Sequence, residues 1–147
     1  MVEEVKHKFS IDLEERRTTN QLRMAALDRR LQAHQEAFSL WRQLYLRMNT
    51  TTDDELHAFS ELITTCEQWW NDNCLYLEPE ARQAFSDTYY FASMYRTYLK
   101  MGKAELAQTN AEKVLNAGDV ILKAVQLPGL SEREKKEMPK VDSGAKT

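Results

Sequence analysis

Glycine and proline are scarce, four and three residues in a chain of 147. No Gly-rich turn is present to cradle a phosphate or to build an oxyanion site. The scarcity, set beside abundant Ala, Leu, Glu, Gln and Arg, points to helices. Long apolar runs are missing too. None approaches the roughly 18–20 residues that a membrane-spanning helix needs, and Met1-Val2-Glu3-Glu4 lacks the basic and apolar regions of a secretory signal. A cytoplasmic protein is the expectation. Only two cysteines occur, Cys66 and Cys74, and eight positions apart on one helix they would lie about 12 Å apart along its axis, too far to bond to each other. Free, packed thiols suit a reducing compartment. The middle of the chain also lacks clustered cations: residues 51–128 hold six Lys and Arg against twelve acids, whereas residues 1–50 hold nine against seven. Phosphate binding needs clustered cations, so nucleic acid is disfavoured as a partner, with only the basic set Arg16, Arg23, Arg29 and Arg30 speaking for it.

A chain of this length is one domain, burying roughly 68–70% of its unfolded surface. The hydrophobic share of 42% and charged share of 29% suit a globular protein. Residues 1–12 read as a separate N-terminal arm, because Val5, Phe9, Ile11 and Leu13 fall among Lys6, Lys8, Ser10 and Asp12 with a strand-like period of two. A frayed start that joins the first helix near Ile11 is the plainer reading. Residues 13–128 form the expected helical domain, and residues 129–147, charged and poor in apolar side chains, read as a disordered tail.

Within the domain the first helix runs from about Leu13 to Met48. Met24, Leu27, Leu31, His34, Phe38, Trp41, Tyr45 and Met48 step by three and four, a heptad seam that Ala37, Leu40 and Leu44 widen in its second half. Arg16, Arg23 and Arg30 recur every seventh residue beside the seam, as coiled-coil flanking charges do, and a parallel pair would set Arg23 against Asp28 of its partner. Thr18-Thr19-Asn20-Gln21 is a second place where that helix could start. Thr52-Asp53-Asp54-Glu55 supplies a capping box for a second helix ending near Leu77. Pro79 opens a third, Gly102 caps it at residue C′, and a fourth spans about Lys103 to Gln126, burying Leu106, Asn110 or Ala111, Val114, Ala117, Ile121 and Val125. Short connections make neighbours antiparallel. The expected fold is all-α, an antiparallel four-helix bundle with a long, projecting first helix.

Chemistry-bearing residues are few. All aromatic residues but Phe9 lie between Phe38 and Tyr98, and Cys66-Glu67-Gln68-Trp69-Trp70-Asn71-Asp72-Asn73-Cys74 concentrates the rarest types. Cys66, Trp70, Asn73 and Leu77 share a helical seam, so the segment reads as an aromatic core. Cys66, Cys74, His34 and His57 are metal-ligand types without the tight pairing of a zinc site. A Cys74–His34 nucleophilic pair lacks an orienting third group. No catalytic residue, metal or cofactor is expected. His34, Glu67, Asn73 and Arg82 are candidates for a buried polar network; Arg16, Arg23, Leu27, Arg30, Trp69 and Tyr90 are candidates for contact with a protein partner.

Ala26-Leu27-Asp28-Arg29-Arg30-Leu31, then His34-Gln35-Glu36-Ala37-Phe38-Ser39-Leu40-Trp41, then Cys66 and Trp69-Trp70-Asn71-Asp72-Asn73-Cys74-Leu75-Tyr76-Leu77 together resemble a family of small helical bacterial proteins and domains. The resemblance covers roughly residues 22–100 and implies no established activity. Some members follow an N-terminal membrane segment, which this chain does not show. The expected function is a non-catalytic helical interaction or oligomerisation module of a bacterial cytosolic protein. Its runner-up is a small-ligand bundle with a pocket lined by Trp70, Tyr89, Tyr95 and His34.

Overall fold

The computed structural model describes residues 2–124, which form four helices: α1 (Val2–Arg47), α2 (Asp53–Asn73), α3 (Pro79–Lys100) and α4 (Ala104–Ala124). A single 3-10 turn, Cys74–Tyr76, joins α2 to α3. The expected tail, and Val125 and Gln126 of the expected fourth helix, lie outside the described residues. No strand occurs among the described residues, and none of their helices is long and apolar enough to cross a membrane.

Helix α1 starts at Val2 and not near Leu13, so the extended arm is corrected to helix. Val5, Phe9 and Leu13 satisfy a period of four as well as of two. A strand also needs a partner for its backbone groups, whereas a helix satisfies them within itself. Nor does α1 restart at Thr18-Thr19-Asn20-Gln21. The Thr19 hydroxyl instead donates back to the Glu15 carbonyl at 2.9 Å, a pattern compatible with an unbroken helix.

The other ends follow their local chemistry. Thr52 Oγ1 accepts from the Glu55 amide at 3.2 Å, and Glu55 Oε2 reaches back to the Thr51 amide at 3.4 Å, one residue earlier than in a strict capping box. Helix α2 stops at Asn73 because the backbone tightens into the 3-10 turn ahead of Pro79. Helix α3 ends in a Schellman motif. Gly102, at φ 76°, donates to Leu99 O at 3.1 Å while Lys103 donates to Tyr98 O at 2.9 Å.

Helix α3 packs most extensively on α4; α1 touches α2, α3 and α4. Ala33, His34, Ala37, Trp41 and Leu44 form the buried face of α1, Met48 is buried just past its end, and Phe59, Leu62 and Cys66 join from α2 and Ala81, Phe85, Thr88, Ala92 and Tyr95 from α3. On α4 the expected Asn110, Val114, Ala117 and Ile121 are buried, while at the start of the helix Ala107 is buried in place of Leu106, which is exposed. The reason lies in small residues: Ala107, Asn110, Ala117 and Gly118 let α4 approach closely. Trp41 lies directly over Gly118, and its indole N–H donates to Val114 O at 2.7 Å. Phe38, Trp41 and Tyr45 stack in a row with ring centroids 5.3 and 5.4 Å apart.

A Cβ at Gly118 would overlap the Trp41 indole. Gly118→Ala should therefore destabilise the fold by about 1–3 kcal/mol through overpacking, although alanine by itself favours a helix by about 1 kcal/mol over glycine. Equilibrium urea unfolding reads the difference. A midpoint equal to or above the wild-type value would show that the indole is not fixed there.

Candidate interaction surface

One helix carries two kinds of sequence, and the boundary between them is sharp. From Val2 through Asp28 every residue of α1 is exposed, and from Arg29 onward the helix begins to be covered. The exposed part is not uniformly polar. Val2, Val5, Phe9, Leu22 and Met24 are each at least 65% exposed, and Leu27 is 40% exposed. Of the expected partner-binding residues, Arg16, Arg23 and Leu27 lie on this exposed length. Arg30 instead pairs with Glu78.

At the boundary, α1 grips the α2–α3 connection. His34 is buried, and its Nδ1 lies 2.6 Å from Arg30 O while Nε2 accepts the Glu78 amide at 3.1 Å. Those two contacts fix the neutral tautomer with its proton on Nδ1, because the amide can only donate. Arg29 donates to Asn73 Oδ1 and lies over the Tyr76 ring at 4.4 Å from its centroid. Asn73 in turn donates to Trp69 O at 3.0 Å. Arg82 Nε donates to Cys74 O at 2.9 Å and a terminal nitrogen to Leu77 O at 3.2 Å. Carbonyls at the end of α2 and the amide before α3, groups that a helix cannot satisfy internally, thus find partners on side chains. The expected network is corrected in its membership: His34, Asn73 and Arg82 serve this connection, each through different partners, whereas Glu67 is exposed and stands apart. Arg29, Arg30 and Glu78 complete it, and sequence alone signals only their charge.

The aromatic residues divide similarly. Trp69, half-buried, is held between helices: its N–H donates to Glu36 Oε2 at 3.0 Å and its ring packs on Phe85 at 5.0 Å between centroids. Trp70 donates to Arg82 O at 3.0 Å. Tyr90 is 57% exposed and meets Phe91 edge to face at 5.2 Å, with Lys113 over the Phe91 ring. The four residues of the ligand-binding alternative are not brought together. Tyr95 lines a cavity of about 350 Å³ with Tyr45, Asn49, Gln108, Glu112 and Leu115, and its hydroxyl bonds Asn49. Tyr89 packs on Phe85, and His34 and Trp70 are engaged with backbone groups at the α2–α3 connection.

Cys66 is fully buried on α2, and that burial pushes its thiol up to about 12 from an ordinary 9.0. A thiol so held is a poor nucleophile, since the thiolate is the reactive form. Among the described residues no three His, Cys, Asp or Glu side chains gather as a metal cluster. Compared with known proteins, the chain matches no family model, no curated protein and no solved structure. Its function is therefore argued from its own geometry.

Two outcomes follow from these contacts. Replacing His34 by Phe strands the Glu78 amide and should cost about 1–3 kcal/mol, read as a lower denaturation midpoint together with faster hydrogen exchange at Glu78; unchanged exchange there would remove the imidazole from its assigned role. For Cys66 the neutral thiol is the native form, so its contribution to stability is complete below 9.0 and is lost as pH rises toward about 12. Near pH 8, a disulfide reagent should label half-buried Cys74 in the native protein and reach Cys66 only on unfolding. Equal rates for both thiols would contradict the burial.

Proposed function

We propose that this protein is a non-catalytic helical interaction module, an antiparallel four-helix bundle from which the first part of α1 projects to meet a protein partner, in a bacterial cytosolic setting. Exposed Tyr90 on α3 offers a secondary contact. The observation that carries this reading is the unbroken exposure of Val2–Asp28 with large apolar side chains along it. Two physical arguments support it. Helices without tertiary packing are marginal in water, most helical stability coming from a buried amphipathic face, and contiguous exposed apolar surface marks interaction sites. The clamp at Arg29, Arg30 and His34 anchors the base of the exposed length, giving a partner a fixed platform. Catalysis has no comparable support: His34, the base of the Cys74–His34 pair, has both ring nitrogens engaged with backbone groups. The ligand-binding alternative is not pursued, because its four residues do not line a common cavity.

Benzophenone photo-crosslinkers placed singly at Leu22, Met24 and Tyr90 test the reading in the native cell. Leu22 and Met24 should yield discrete covalent protein adducts, Tyr90 weaker ones, and the exposed polar position Ser60 none. Absence of adducts from both α1 positions above the Ser60 background would overturn it.

A further inference from the structure

Helices α3 and α4 leave between them a groove of about 650 Å³ that opens to the surface. Nearly buried Ala84 and Ala117 form its floor, while half-buried Phe91 and Val120, which is 36% exposed, stand along it. Lys113 lies over the Phe91 ring at 4.6 Å and marks one end. The other end, at Glu80 and Val120, lies at the start of α3 and four residues before Ala124, the last residue of α4. From Glu80 to Phe91 the groove is about 16 Å long at 1.5 Å per residue.

The sequence that follows Ala124 changes character partway. Val125-Gln126-Leu127-Pro128-Gly129-Leu130-Ser131 carries no charge, whereas nine of the sixteen residues from Glu132 to Thr147 are charged. The charged part has little to bury; Leu127 and Leu130 are large apolar side chains that gain by burial. Between them stand Pro128 and Gly129. A type II turn takes this pair at its two central positions, proline for its fixed φ and glycine for its positive φ. A turn of that kind reverses the chain.

We infer that the groove between α3 and α4 is occupied by the chain's own segment Leu127–Ser131, folded back over Val120 by a turn at Pro128-Gly129. The chain is long enough. Six extended residues span up to about 20 Å, while Val120 lies only about 6 Å back along α4 from Ala124. The chemistry agrees as well: an uncharged segment with two leucines meets a groove of alanine, phenylalanine and valine. Attachment favours this occupant over a separate molecule. A short tether holds the segment at an effective concentration on the order of millimolar, so a contact too weak to hold a free peptide still fills the groove. The inference stands apart from the reading of α1 and withholds this second apolar surface from a partner.

Benzophenone placed at Val120 in the purified full chain should crosslink within one molecule to Leu127–Ser131, as mapped by mass spectrometry of the digest. A benzophenone at Glu80, on the opposite wall and distant in sequence, should reach the same residues. Asp119 is the control: it is as near to the segment in sequence as Val120, but is exposed and lies outside the groove. It should give little of that product. Leu127→Asp with Leu130→Asp should cut the products from Val120 and Glu80 about tenfold or more, because both side chains lose their burial. Both positions follow Ala124, so the helical circular dichroism signal should be unchanged, which separates undocking from unfolding. The comparison of Val120 with Asp119 needs no change in the segment at all. No intramolecular product from Val120 and Glu80, equal yields from Val120 and Asp119, or products indifferent to the double substitution each overturns the inference. So does a product joining two copies, or a different protein captured at Val120 in the native cell.

Discussion

The connection between α2 and α3 contains no glycine, and its backbone groups need partners that the connection itself cannot supply. That constraint sets the register of α1. His34 accepts the Glu78 amide, Arg29 holds Asn73, and Arg82 covers the carbonyls of Cys74 and Leu77. Buried backbone groups left unpaired cost more than a hydrogen bond normally returns, so sliding α1 by one turn would lose several of these contacts together. The Arg30–Glu78 pair beside them is partly exposed and contributes modestly by comparison. At the other end of α1, Tyr95 bonds Asn49 and Arg96 donates to Met48 O at 3.2 Å. The helix is thus fixed to α3 at both ends of its covered half, and the close contact of Trp41 with Gly118 fixes it to α4 between them.

Much of this was legible in the residues. The capping box at Thr52, Pro79 as the first residue of α3 and Gly102 as the glycine of a Schellman motif are local signals, and local hydrogen bonds carry them out. The wide apolar face through Ala37 and Leu44 is likewise a property of one helix. Contacts distant in sequence were less legible. His34 reads as a core histidine, but nothing near it announces that its acceptor nitrogen will meet an amide beyond Tyr76. Trp69 looked free because the seam through Cys66 and Trp70 leaves it aside, yet Glu36 and Phe85 come from other helices to hold it. The first thirteen residues misled because short apolar patterns fit a period of two and a helical period equally well, and length decides between them. On α4, Leu106 has the side chain expected in a core, but small Ala107 is what permits the helices to approach.

The covered and exposed parts of α1 also differ in the face they present. Met24, Leu31, Phe38 and Tyr45 are seven residues apart and nearly superpose along the helix. Phe38 is only half-buried and Tyr45 is 37% exposed, whereas Ala33, Ala37 and Leu44, on an adjacent row, are fully buried. The apolar stripe of the exposed length therefore runs on toward the rim of the packed helices and not into their centre. Two faces on one helix, offset in this way, separate the length that packs in the core from the length left exposed. The clamp at Arg29, Arg30 and His34 stands where one role gives way to the other.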